Sequence, residues 1–203
     1  MAESIAFKRE PRKLPDAKKS ISWLDFQRRY LQREDTYKYE WVNGFVEKAP
    51  RSMNQDQYYI LDNLTAFLDQ LRTNNPALGR FYAEADTFFL ENIHRRPDIA
   101  YFSAEQRSNM AYGQKEKPDF VIEIISTYDT INRVVKKMQD YRAAKVKVVW
   151  HVYPELKEVH VYHGENMTIC SGEVKCSAAT VIPHFELTAD LIFQKPVRTE
   201  NIQ

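Results

Sequence analysis

The sequence predicts an α/β (α+β) fold, a mixed central sheet flanked by helices in one domain. Three observations carry this. Phe120-Val-Ile-Glu-Ile-Ile is apolar on both faces, as a strand covered on both sides reads. From Gln57 to Arg72, Ile60, Leu61, Leu64, Phe67, Leu68 and Leu71 form one helical stripe. A second helical stretch, about 131 to 144, leads straight into the strand-like run Val146 to Tyr153.

The elements follow in order. Residues 1 to 20 are polar, carry Lys8, Arg9, Arg12, Lys13, Lys18 and Lys19, and are broken by Pro11 and Pro15. They predict a flexible basic tail, either solvated or touching phosphates. The domain is expected over 21–195, with a second tail at 196–203. Ser22 precedes Trp23, Leu24, Asp25 and Phe26 as an N-cap precedes a short helix. Around Asn43-Gly44, Tyr37 to Val42 and Phe45 to Glu47 read as a hairpin, because both turn residues tolerate positive φ. Asn74-Asn75-Pro76 ends the long helix. Arg80 to Leu90 reads as one strand. Two further strands, about 97 to 103 and 119 to 126, both open on Pro-Asp, since proline lacks the amide donor and suits a strand's first position. A polar loop with Arg107, Asn109, Tyr112, Gly113 and Gln114 is expected between them. After the helix at 131–144, Val146 to Tyr153 and Glu158 to His163 form a hairpin around Pro154 to Lys157, and short strands continue to Phe193.

Composition narrows the function classes. The chain has 203 residues, with Lys+Arg 29 against Asp+Glu 28 and a net charge of +1, so a nucleic-acid site would be a local patch rather than a global charge effect. No apolar run is long enough to span a bilayer and no signal-peptide stretch opens the chain, which predicts a soluble, cytoplasmic protein with no membrane partner. Cys170 and Cys176 are too few for a disulfide framework; with His163 they lack a fourth zinc ligand, and they read as structural.

The chemistry concentrates between Arg96 and Tyr141. Glu123 lies in the doubly apolar strand, where an unpaired carboxylate costs several kcal/mol, so it must be ion-paired, metal-bound or protonated. Asp98 stands near the start of its own strand. If the two strands are neighbours, both carboxylates point into one cleft and repel unless a cation lies between them. A hard divalent ion, Mg²⁺ or Mn²⁺, suits such oxygen donors. On the following helix, Val134, Met138 and Tyr141 point one way at about 100° per residue. Lys137 falls on the edge of that stripe and Lys136 on the opposite side. Lys137 is therefore either a lysine at the core's border able to hold a water, or one covering apolar surface with its amine in solvent.

Pro97-Asp98, Glu123-Ile-Ile-Ser126, Lys137 and Tyr141, with the upstream Tyr39-Glu-Trp-Val-Asn-Gly44, resemble the Uma-two family, a bacterial family of restriction-endonuclease-like proteins in the PD-(D/E)XK nuclease superfamily. The similarity spans roughly residues 20 to 190. The resemblance implies a restriction-endonuclease-like fold and a metal-dependent DNA endonuclease. Asp98 and Glu123 would be its metal ligands, Lys137 its catalytic lysine and Glu40 an auxiliary acid, with DNA as partner and a homodimer as the simplest way to cut both strands. The alternative is an inactive nuclease-fold protein that acts in DNA binding or assembly. Three departures from the family pattern stand out: Ile125 occupies the superfamily's usual lysine position, Gln57 replaces a frequent histidine, and Arg133 a frequent acid.

Overall fold

The computed structural model describes residues 19–50, 55–127 and 129–198. The two expected tails therefore lie largely outside the described residues.

Ser22 caps α1 (Trp23–Phe26), its Oγ accepting from the Asp25 amide at 3.1 Å, and a π turn over Gln27–Leu31 continues the helix. The first hairpin is β1 (Tyr37–Val42) and β2 (Phe45–Pro50), turned by Asn43 at φ 51° and Gly44 at φ 84°. The apolar stripe becomes α2 (Gln55–Asn74). Beyond it, the single strand expected over 80–90 is two. Glu84 takes φ 47°, and the break separates β3 (Arg80–Ala83) from β4 (Thr87–Leu90), which join different sheets. A short strand that the sequence did not announce, β5 (Ile93–Arg95), follows.

The two Pro-Asp pairs stand immediately before β6 (Ile99–Phe102) and β7 (Phe120–Ile124). Between these strands the polar segment holds a helix, α3 (Ala104–Ala111), opened by a reciprocal capping box between Ser103 and Gln106. Next come α4 (Ile131–Ala143), β8 (Val148–Tyr153), β9 (Glu158–His163), β10 (Asn166–Ser171), β11 (Lys175–Ser177), β12 (Glu186–Thr188) and α5 (Ala189–Ile192).

The central sheet has the order β10-β9-β8-β7-β6-β3. All its neighbours are antiparallel except β7 and β8, which run parallel because α4 carries the chain back to the end of the sheet at which β7 begins. A second sheet, β2-β1-β5-β4, is not hydrogen-bonded into it, and β11 and β12 form a small third one. Every residue of β7 is buried, and alternation assigns its two faces. Phe120, Ile122 and Ile124 join Ile60, Leu64 and Leu68 of α2, with Trp150, in the larger core. Val121 joins Met138 and Tyr141 of α4 and Phe89 and Ile93 of the second sheet in the smaller one. Glu123, two residues on from Val121, shares that second face.

Gly79 shows how tightly β3 is seated. A Cβ there would stand 1.8 Å from the Phe102 carbonyl oxygen, and its amide donates to the Tyr101 hydroxyl at 2.8 Å. Backbone cannot yield as a flexible side chain does. Gly79→Ala is expected to cost about 3 kcal/mol in urea denaturation, the upper range for an overpacked position.

Candidate functional site

The site begins with strand register. Antiparallel pairing sets Ile99 of β6 opposite Ile122 of β7, and one further step along it brings Asp98 opposite Glu123. Directly opposed residues share a face, so both carboxylates project to the same side of the sheet. The Asp98 side chain is locked there: its Oδ2 accepts from the Ile124 amide at 2.8 Å.

Two lysines meet these acids from different elements. On β1, period-two alternation puts Lys38 and Glu40 on one face, and the Lys38 amine lies 2.6 Å from Asp98 Oδ1 and 3.3 Å from the Arg96 carbonyl oxygen. On α4, four-residue spacing stacks Arg133, Lys137 and Tyr141 on one side. The Lys137 amine grips both Glu123 oxygens, at 2.8 and 2.7 Å, and stands 3.6 Å from Glu40 Oε1, while the Tyr141 hydroxyl donates to Glu123 Oε1. Lys136 points away and pairs with Glu47 at the surface. The helical phase read from the sequence thus selects the lysine that is buried against the acid.

Behind them lies a second layer of charge. The Arg95 guanidinium, fully buried, donates to Glu40 Oε2 at 2.8 Å, Glu47 Oε2 at 2.5 Å and Asp140 Oδ2 at 2.9 Å. The Arg96 amide holds the other Glu40 oxygen at 2.9 Å. Glu40 therefore anchors Lys137 from behind and is not among the residues walling the cavity.

That cavity, of about 350 Å³, is lined by Lys38, Asp98, Glu123, Arg133, Lys137 and His151, among others. Of these, Lys38 and His151 were not singled out in the sequence. Parallel register places His151 beside Glu123, and neither of its ring nitrogens has a partner among the described residues. Its signal was faint: one histidine in an otherwise apolar strand reads as core. The signal for Lys38 was better, since it shares a strand face with Glu40.

Burial and neighbouring charge act against each other here. Burial pushes the Asp98 carboxyl up, but Lys38, Lys137 and the hydrogen bonds from Lys38 and the Ile124 amide together bring it below its ordinary value. Glu40 is likewise penalised by burial, yet Lys137, Arg95 and Lys38 hold it far below the carboxylate range. Glu123 differs. Burial and the nearby Asp98 and Glu40 outweigh Lys137 and Lys38, and its carboxyl is raised. The neighbouring Asp98 and Glu123 carboxyls are thus shifted in opposite directions, although each faces an ammonium.

The donor set fits a hard divalent ion. Two carboxylates border a cavity with room for water, the arrangement Mg²⁺ favours, since it keeps several waters alongside one or two carboxylates. No group of three or more His, Cys, Asp or Glu side chains forms a metal cluster among the described residues. A metal there would rely on Asp98 and Glu123 and on water.

A family model, Uma2, described as "Putative restriction endonuclease", matches residues 23–190. The chain belongs to the Uma2 family. Among solved structures, it is similar to one reported as a "putative nuclease belonging to DUF820" from Anabaena variabilis. The two are 17% identical, the match covers 80% of this chain and 93% of that one, and the TM-score is 0.67. At that identity the likeness is one of fold, and it places this Uma2 member's mixed sheet and helices in the restriction-endonuclease-like class. No curated protein matches. No helix among the described residues is long and apolar enough to cross a membrane.

Arg95→Ala strands Glu40 and Asp140 without their shared cation and should cost about 3–5 kcal/mol in urea denaturation. Burial also holds His94 and His151 neutral, with pKa values pushed down from 6.5 to about 4. Between those values the folded state binds fewer protons than the unfolded chain. The histidine contribution is thus complete above about pH 6.5 and declines as pH falls to 4, by up to about 3 kcal/mol each. Denaturation midpoints measured in chelator from pH 7 to 4 should fall accordingly, and His151→Leu should give a shallower slope.

Proposed function

We propose that this Uma2 protein is a metal-dependent DNA endonuclease that hydrolyses phosphodiester bonds. The observation that supports it most is the meeting of Asp98, Glu123 and the Lys137 amine at one cavity, from two adjacent strands and the helix that crosses over them. In this reading Asp98 and Glu123 hold Mg²⁺ or Mn²⁺. Such an ion, when bound, lowers the pKa of a coordinated water and neutralises charge on phosphate oxygens. Lys137 orients the attacking water and stabilises the charge that develops on the phosphate. Glu40 keeps the Lys137 amine in place. The family's description supports DNA as the substrate, and a symmetric dimer would bring one site to each strand of a duplex.

One feature favours a second reading, a nuclease-fold protein that binds DNA without cutting it: each carboxylate already has an ammonium partner. Plasmid nicking separates the two. With Mg²⁺ or Mn²⁺ the wild type should nick supercoiled DNA. Glu123→Ala and Lys137→Ala should each lower the rate about 100-fold or more, while Lys136→Ala should not. Equal nicking by wild type and both site variants would remove the assignment. A DNA gel shift indifferent to chelator and to Asp98→Ala, with no cleavage, would establish the binding reading instead.

A further inference from the structure

The Lys38 amine is the cation that Asp98 already holds at the cavity. Of the two Asp98 oxygens, Oδ2 is engaged by the Ile124 amide, which leaves Oδ1 to face a cation, and Lys38 Nζ lies 2.6 Å from it. A divalent ion about 2.1 Å from that same oxygen would stand beside a buried ammonium. Like charges so close, with little water to screen them, repel. Lys38 has the means to move aside, because the Arg96 carbonyl oxygen is already within 3.3 Å and the cavity lies alongside. Lys137 is placed differently: Glu40 Oε1, at 3.6 Å, retains it whether or not Glu123 turns to another cation.

We infer that Lys38 is an internal counter-ion of Asp98 that a divalent cation must displace, and that it thereby sets the metal affinity of the site. This rests on the metal-site reading of Asp98 and Glu123, but not on cleavage. Two cations competing for one oxygen are negatively coupled. Removing the lysine's charge then tightens metal binding, although it also removes an ion pair from the folded protein.

The test is calorimetric titration of the full chain with Mn²⁺ and with Mg²⁺ at one fixed pH, for wild type, Lys38→Met, Lys38→Gln and Lys38→Arg. Lys38→Gln can still donate to Asp98 and serves if the Met variant does not fold. Thermal midpoints in chelator verify folding. The neutral variants should bind metal about tenfold more tightly than wild type, and Lys38→Arg should not. Metal bound only by the neutral variants would be the strongest form of the same result. Unchanged or weaker binding in the folded neutral variants would overturn the inference and leave Lys38 a structural ion pair. Absence of metal from all four proteins would overturn it together with the metal site. Metal binding that tightens as expected, without plasmid nicking, would uphold Lys38 as the counter-ion and remove the endonuclease.

Discussion

The buried Arg95 guanidinium is the contact on which the rest of the site depends. Its partners come from β1, β2 and α4, so one side chain on β5 ties the second sheet to the helix that crosses over the central one. Three carboxylates around it would be prohibitive without that cation, and the cation would be prohibitive without them. Asp140 lies three residues beyond Lys137, so fixing it against Arg95 also fixes the rotation of α4 and aims the Lys137 amine at Glu123. A purely apolar contact between helix and sheet tolerates some sliding. A guanidinium with directed bonds to three elements does not.

Within that frame, the two carboxylates that face the cavity are unequal. Asp98 stands at a strand end with an amide and an ammonium bonded to it, and ionises readily. Glu123 is inside the strand, where burial and the neighbouring Asp98 raise its carboxyl despite Lys137 and a tyrosine hydroxyl. Like charges held together split in this way, one fully ionised and the other reluctant. Beside them His151 is held neutral, so it adds no charge to the balance.

How much of this the sequence disclosed depended on the range of each interaction. Local chemistry was legible: Asn43-Gly44 marked its hairpin, the stripe from Ile60 to Leu71 its helix, and helical phase separated Lys137 from Lys136. Helix α3 was legible in principle, since Ser103 and Gln106 spell a capping box, but its polar composition hid it among loop signals. The break between β3 and β4 turns on Glu84 at positive φ, a conformation that glutamate does not advertise. Lys38 and Arg95 were hidden for another reason. Lys38 meets Asp98 across 60 residues, and Arg95 meets Glu40 and Asp140 across 55 and 45. A charged residue read alone defaults to the surface, and only tertiary packing reveals the buried partner.

The location of the cavity follows from topology. In this sheet β7 and β8 alone run parallel, and the chain leaves the carboxyl end of β7 to enter the α4 crossover. Ile125, Ser126 and Asp129, which make that exit, line the cavity, as ligand crevices do outside the carboxyl ends of strands in open sheets. Because β6 runs antiparallel to β7, its start lies at the same end, which is why an acid just before β6 and an acid near the end of β7 converge. The crossover helix then brings its own charge in graded depth. The Arg133 side chain is 23% exposed, that of Lys137 7%, and Tyr141 is fully buried, one helical turn apart at each step. A shift of α4 by a single residue would send the tyrosine and both cations off this face together. The anchoring of α4 through Asp140 and the chemistry carried by Lys137 are therefore one constraint, imposed by a shared helical phase.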